Sequence, residues 1–478
     1  MKKEDFIRTA WSGETLEALS AFVRIPSKST AFDPHWEKNG FLTQALEEAA
    51  LWGRKLFPSA TFEICRKPGI PPALFVEIPA TLGHDGDPAF FYGHFDKQPE
   101  TEGWSDGLGP WTPVVKDGRL YGRGAADDGY SFYMALTAVK SLECAGIAHA
   151  RIVGLFETNE ESGSYGLKDF LLELQPRFGR PAFLGILDLS LCDYNRVWLT
   201  QSLRGVVSFR LTVEVLESPV HSGSASGIVP SSFAVMRALL DRLEDPLTGR
   251  VKLSAFHTQM PERHHKTLEQ SAKLRGEAVW KSFPWKDATE PRSRDPREAI
   301  VLNTWEPTLS VLGADGLPSS AQASALIRPS TSLLLSFRIP PYVDAKTALA
   351  QAEEVLMHDI PCSATVTIDD KRAESGFDVP ALAPWLEAAL DEASIKYFGN
   401  PCERIFEGAT IGTMKDFGEI FPGSPFFNTG VLGTKEHAHA PDESIDLAYA
   451  EQLTKVIADV IEKIPCWPSP NSEQLRSR

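Results

Sequence analysis

The 478-residue sequence is poor in cysteine, has no long apolar run and carries no excess of positive charge. Its six cysteines, Cys65, Cys144, Cys192, Cys362, Cys402 and Cys466, are scattered and form no CxxC pair. That pattern excludes a clustered-thiol site and fits a reduced, cytoplasmic protein whose thiols pack as small hydrophobes. The N-terminal MKKEDFIRTAWSGETLEAL has two lysines but no apolar core, so it is not expected to act as a secretory signal. No apolar stretch approaches the length of a membrane span. Lys plus Arg number 48 against 64 acids, a net charge of −16, which argues against nucleic acid or an anionic membrane as partner. What is present is the balance of a soluble globular protein, 42% hydrophobic and 23% charged, on a chain long enough for two or more domains.

Residues 5–23 and 40–56 read as amphipathic helices. Strands are expected at 74–80 (LFVEIPA), 89–96 (AFFYGHFD), 151–161 (RIVGLFETNEE) and 183–190 (FLGILDLS), with helices between them (SFYMALTAVKSLECAG, GLKDFLLELQ). Such alternation implies an α/β domain, a mostly parallel sheet flanked by helices. After Leu203 the character changes. VSFRLTVEV alternates like a half-exposed antiparallel strand, and strands and helices follow in the order of an inserted α+β ferredoxin-like domain. Residues 251–300 are polar and read as irregular. Helical patterning returns near Val379 (PALAPWLEAALDEASIKYFG), and residues 467–478 form a Pro/Ser-rich tail expected to fray. The expected division is an α/β domain in two parts, 1–204 and 377–478, interrupted by the inserted α+β domain at 205–376. Hinges are expected near 203–206 and 374–378.

In open parallel sheets, sites gather at the carboxyl ends of strands. Here those ends, or the loops just after them, carry His94, Asp127, the pair Glu160–Glu161 and Asp188. One acid at a strand end is ordinarily a cap or turn residue. Several at one edge repel each other unless a cation lies between them. A further imidazole arrives late, His437 or His439 in KEHAHAPDES. Two imidazoles and three carboxylates suit two divalent metal ions that share a bridging carboxylate. Nitrogen and oxygen donors without sulfur suit Zn²⁺, with Mn²⁺ or Co²⁺ as the other fits. Of the adjacent Glu160 and Glu161, one can face the metals while the other stays free to act as a base.

These motifs together resemble the M20 metallopeptidase family, nearest to its carnosinase-like dipeptidases. YGHFDKQP resembles the first ligand motif, YGRGAADD the bridging aspartate, NEESGS the paired glutamates, LDLS the third carboxylate, HSG the lid histidine and HAPDE the last ligand. The resemblance implies that the α/β domain is catalytic and the inserted one a lid or dimerisation domain. It implies that His94 and His439 each ligate one metal, that Asp127 bridges both, and that Glu161 and Asp188 complete opposite sites. It further implies Glu160 as general base and Asp96 as the carboxylate that orients His94. Asp188 is preferred to Asp193 by its spacing from Arg204, and His439 to His437 because it directly precedes APDE. On the same resemblance, His221 steadies the oxyanion in the partner subunit's active site, which implies a homodimer. Arg338 clamps the substrate's terminal carboxylate, with Gly408 and Thr410 of GATIG (408–412) against the same group. His257, His264 and His265 are expected to be exposed loop histidines.

Three places depart from the family pattern. Gly129 stands where Lys is usual, GATIG replaces GGSIP, and AQAS near residue 322 replaces a GN-type turn. All three are expected on the substrate side. The reading is therefore a dinuclear metal-dependent dipeptidase or exopeptidase. An amidohydrolase of N-acyl amino acids or another non-peptide amide is the alternative, and an inactive dimeric interaction protein a more distant one. A nucleotide-binding role is disfavoured, because Gly122-Arg123-Gly124 lacks the third glycine and is followed by two acids.

Overall fold

The computed structural model describes residues 1–466; the tail 467–478 lies outside the described residues. Contacts divide the chain into two compact units. The first comprises Met1–Thr200, Val379–Arg404 and the chain from Asp416 on; the second comprises Gln201–Asp378 and Ile405–Lys415. The sequence division left 405–415 in the catalytic part. This stretch instead groups with the second unit, where Phe406 packs in a small core with Trp305 and Ile300.

The first unit holds a six-stranded sheet, in the spatial order Thr61–Lys67, Ile70–Ile78, Ile152–Glu157, Ala89–His94, Phe183–Ile186, Phe426–Asn428. The last four are parallel, and the first two are added antiparallel at one edge. Every residue of Ala89–His94 and of Ile152–Glu157 is buried. That burial explains why their sequences are apolar runs rather than alternating patterns. The flanking helices include Tyr130–Ala145, which is closed by Gly146, and Leu447–Glu462, whose Asp446 cap accepts from Tyr449 N at 2.9 Å. The helix expected over 5–23 is two helices, Lys3–Trp11 and Glu14–Val23, broken at Ser12–Gly13.

In the second unit the strands Gly205–Glu214, Thr308–Asp315, Ser330–Ile339 and Thr365–Glu374 form one antiparallel sheet. Thr308–Asp315 and Thr365–Glu374 lie at its edges. With helices Ser232–Leu243 and Ala345–Met357 the order is the expected ferredoxin-like one. Val207, Phe209, Leu211 and Val213 alternate into its core. The stretch 251–300 is not irregular. It forms the helix His265–Arg275 and part of the helix Pro296–Thr304, around a small core of Leu268, Trp280, Ile300 and Trp305. Few apolar residues suffice there because two of them are tryptophans. His264 is accordingly buried, not exposed. Its Nε2 lies 2.8 Å from Asp378 Oδ1, and its ring packs on Trp305 and Phe406. His257 is half-buried and bonded to Val251 O, while His265 is exposed as expected. Among the described residues, no helix is long and apolar enough to cross a membrane.

Candidate active site

Strand register explains why the acids meet. His94 ends its strand opposite Glu157, the last residue of the neighbouring strand, and Tyr92 lies opposite Ile186. Glu160–Glu161 and Asp188 therefore lie two to four residues past the same sheet edge. Asp127 enters from the loop ahead of helix Tyr130–Ala145, and the peptide Asp127–Asp128 is cis. Gly93 permits the close approach of that loop. A Cβ there would lie 2.1 Å from Ser131 Oγ and 2.6 Å from Asp128 Oδ2. Asp128 Oδ2 in turn accepts from His94 N and Ser131 Oγ.

The side chains form two donor groups that share one residue: His94, Asp127 and Asp188, and Asp127, Glu161 and His439. His94 Nε2 is 3.2 Å from Asp127 Oδ1 and 3.6 Å from Asp188 Oδ2. His439 Nε2 is 2.9 Å from Asp127 Oδ2 and 3.2 Å from Glu161 Oε2. Asp127 thus turns one oxygen toward each imidazole. Asp193 sits in a local turn, accepting from Asn195 N at 2.8 Å, and His437 is exposed; neither belongs to these groups.

Asp96 contacts more than the imidazole it was expected to orient. The strand ends at His94, so the two-residue alternation does not continue to Asp96. His94 Nδ1 instead meets the Asp96 backbone carbonyl at 3.0 Å, with the carboxylate at 3.4 Å. A carbonyl only accepts, so His94 carries a proton on Nδ1, a bond that turns Nε2 toward Asp127 and Asp188. The Asp96 carboxylate binds the next turn: Oδ1 accepts from Glu160 N at 3.1 Å and Oδ2 from Glu161 N at 3.0 Å. Asp96 therefore positions the paired glutamates more directly than it positions His94.

The charges of the cluster do not balance. Burial raises the carboxyls of Glu160, Glu161 and Asp188, the last to about 7, and neighbouring acids add to the effect. For Asp127 burial acts in the same sense, but hydrogen bonds to His439 and His94 outweigh it and hold the group well below the usual range. Burial opposes charge on the imidazoles. Even so, Asp127 and Asp188 raise His94 well above its ordinary value, and Asp127 with Glu161 carries His439 up to about 11. Four carboxylates and two imidazoles in one pocket attract positive charge. Glu161 Oε1 is buried and has no hydrogen-bond partner. With oxygen and imidazole nitrogen as the donors, the residues fit two divalent cations held on either side of Asp127. The Glu160 carboxylate makes no hydrogen bond among the described residues, which leaves it able to exchange a proton.

Several residues that hold this site were not singled out from the sequence. Gln98 Nε2 donates to Glu161 Oε2 at 2.6 Å. Ser29 and Ser162 hydroxyls meet at 2.6 Å, and Thr30 donates to Asn159 at 2.6 Å, tying the N-terminal segment to the glutamate turn. Lys97 is fully buried and donates to Phe22 O and Ile25 O, both at 2.8 Å, at the end of helix Glu14–Val23. Among these, only the spacing of Lys97 and Gln98 from His94 offered a sequence signal.

The remaining expected residues lie in the second unit. His221 is exposed and Nδ1 accepts from Gly223 N at 3.1 Å, which puts the proton of the neutral ring on Nε2. Arg338 makes no cross-strand ion pair among the described residues; its Nη1 donates to Thr410 Oγ1 at 2.7 Å. Gly408 O accepts from Arg204 Nε at 2.9 Å. The unit thus brings Arg338, Thr410 and Gly408 to one loop. Gly129 does not belong on the substrate side. It is buried, and a Cβ there would lie 2.0 Å from Phe22 Cε1, so a ring of the catalytic core occupies the space a side chain would need.

Residues 90–463 match the sequence model of peptidase family M20/M25/M40. The cysteinylglycine-S-conjugate dipeptidase of Corynebacterium striatum is 22% identical over 429 residues, 87% of this chain and 89% of that protein. The Beta-Ala-His dipeptidase of Rattus norvegicus is 27% identical over 72% of this chain and 70% of its own. Among solved structures, human carnosine dipeptidase 1 aligns with a TM-score of 0.77 at 21% identity, covering 97% of this chain and 98% of that one. The dipeptidase Dug1p of Saccharomyces cerevisiae aligns with a TM-score of 0.78 at 18% identity, covering 98% of each chain. At these identities the structural likenesses establish the fold.

Proposed function

The chain belongs to peptidase family M20/M25/M40 and is a hydrolase acting on peptide bonds; we propose that it works as a dinuclear metal-dependent dipeptidase or exopeptidase. The observation that carries this reading is the shared Asp127, one oxygen toward each imidazole, with Asp188 and Glu161 on opposite sides. His94, Asp127 and Asp188 would hold one cation, and Asp127, Glu161 and His439 the other, with Zn²⁺ the best match to the donors and Mn²⁺ or Co²⁺ next. When bound, such cations polarise a carbonyl and lower the pKa of water to about 7.

The protein's own groups do the rest. Glu160 takes the proton of the attacking water and passes it to the leaving amine. Its raised proton affinity and unbonded carboxylate suit both steps. Arg338 and Thr410 hold the substrate's terminal carboxylate, with Gly408 lining the loop. His221, with its proton on Nε2, donates to the developing oxyanion across a homodimer. The edge strand Thr308–Asp315 supports that assembly, since it leaves Val311 and Leu312 exposed. The few, scattered cysteines of so long a chain support a cytoplasmic setting.

A second reading, hydrolysis of an N-acyl amino acid or another non-peptide amide, draws on the GATIG loop. Gly412 lies so close to Glu374 that a Cβ would stand 2.7 Å from its Oε2, placing an acid beside the loop assigned to the carboxylate. An inactive scaffold is disfavoured because the sequence keeps all five residues proposed as ligands and the proposed base Glu160. The test is Glu160→Gln, assayed on dipeptides and acyl amino acids with metal content measured in parallel. Turnover should fall roughly 10²–10⁴-fold with the metals retained; undiminished turnover would remove Glu160 from the mechanism.

A further inference from the structure

Glu443 follows His439 by four residues and is fully buried. Its Oε1 accepts three backbone N–H groups: Gly124 at 2.9 Å, Ala126 at 3.2 Å and Asp127 at 3.3 Å. Oε2 accepts from Arg123 Nη1 at 2.7 Å, and the Glu443 carbonyl accepts from Gly122 N at 2.9 Å. Five donors of the 122–127 loop therefore converge on one residue. That loop ends in Asp127, whose two oxygens face the two imidazoles 3.2 and 2.9 Å away.

We propose that Glu443 is the positioning residue of the metal centre, clamping the Asp127 loop to the segment that carries His439. The inference rests on the dinuclear reading above. One carboxylate fixes the backbone of the bridging ligand and, through the four-residue link, the placement of the last imidazole. A carboxylate suits the task because converging backbone N–H groups form an anion-binding concavity, and bonds to a charged acceptor are shorter and stronger than neutral ones. The Glu443 side chain belongs to neither donor group. Its effect on the cations passes through Asp127 and His439. A buried ion pair such as Arg123–Glu443 is weak evidence of added stability, so a geometric role accounts for it better than a purely stabilising one.

The experiment titrates metal-stripped full-length protein with Co²⁺, reading the visible d–d absorption and the dissociation constants by chelator competition. Wild type should take up two Co²⁺ per chain. Glu443→Gln keeps the shape and one acceptor oxygen but turns an NH₂ group toward Arg123. Both ions should bind roughly 10–100-fold more weakly, with an altered spectrum. Leu390→Ala, a core truncation in the helix Pro384–Phe398, loses stability without touching the site and should leave affinity and spectrum unchanged. If Glu443→Gln does not fold, Arg123→Met/Glu443→Gln removes the unpaired guanidinium, and the same weakening is expected there. Two Co²⁺ bound by either folded variant with wild-type affinity and spectrum would overturn the positioning role alone. A wild type that takes up no Co²⁺ would overturn the dinuclear reading, and this inference with it.

Discussion

Replacing Asp96 with Asn tests the site where the structure departs most from simple expectation. The Asp96 side chain is fully buried, and its two oxygens accept from Glu160 N at 3.1 Å and Glu161 N at 3.0 Å. Asparagine offers one acceptor oxygen and one NH₂. One charge-assisted bond of ~1.5–3 kcal/mol becomes a donor facing a donor, and leaving a buried donor unsatisfied costs about 1–3 kcal/mol more. The expected loss is therefore about 3–5 kcal/mol for the catalytic unit, read as a lowered urea midpoint. The metal sites should respond unequally. His94 Nδ1 is held by the Asp96 backbone carbonyl, which the substitution keeps. The His94–Asp127–Asp188 site should thus retain its cation, while the site that uses Glu161 weakens roughly 10–100-fold. Metal titration and turnover on a dipeptide give the readout. Equal weakening of both sites would show that the carboxylate orients His94 after all. Unchanged stability and binding would refute the hydrogen-bond assignment itself.

Gly129→Ala would place a Cβ 2.0 Å from Phe22 Cε1, in a ring already packed at 5.2 Å on Phe95. Overpacking should cost about 1–3 kcal/mol, and a variant of wild-type stability would show that Phe22 moves aside freely. Asp378 is held below the ordinary aspartate range. Burial opposes this, but hydrogen bonds from His264, Tyr342 and Arg263 outweigh it. A depressed carboxyl contributes stability above its unfolded pKa and loses it as pH falls through the folded value. Asp378→Asn should therefore cost about 1–3 kcal/mol at pH 7, with the gap to wild type closing below roughly pH 4. A gap that persists in acid would mean the effect is packing and not charge.

Much of the fold was legible because burial on both faces writes itself into sequence as apolar runs. The strands ending at His94 and Glu157 are such runs, and their neighbouring acids follow at the sheet edge. What was missed had a weaker signature. The antiparallel pair Thr61–Lys67 and Ile70–Ile78 turns on the two residues Pro68 and Gly69, and only its second strand stood out. The helices within 251–306 carry few apolar residues and rely on Trp280 and Trp305, so a polar composition concealed them. At the site, residue types and spacing named the groups that meet around Asp127. They did not name the carboxylates that hold backbone. Asp96 and Glu443 act on N–H groups far away in sequence, a relation that motif spacing does not encode. Gly129 shows the same limit: only the position of Phe22 explains it.

Metal analysis of the purified wild-type chain, set against Asp127→Ala, tests the central claim most directly. Two divalent ions per chain are expected in wild type, with dipeptide hydrolysis abolished by chelation and restored by adding metal back. Asp127→Ala should lose affinity for both ions at once, because both donor groups depend on that one carboxylate. A wild type that binds a single ion, or an Asp127→Ala variant that still binds two tightly, would contradict it.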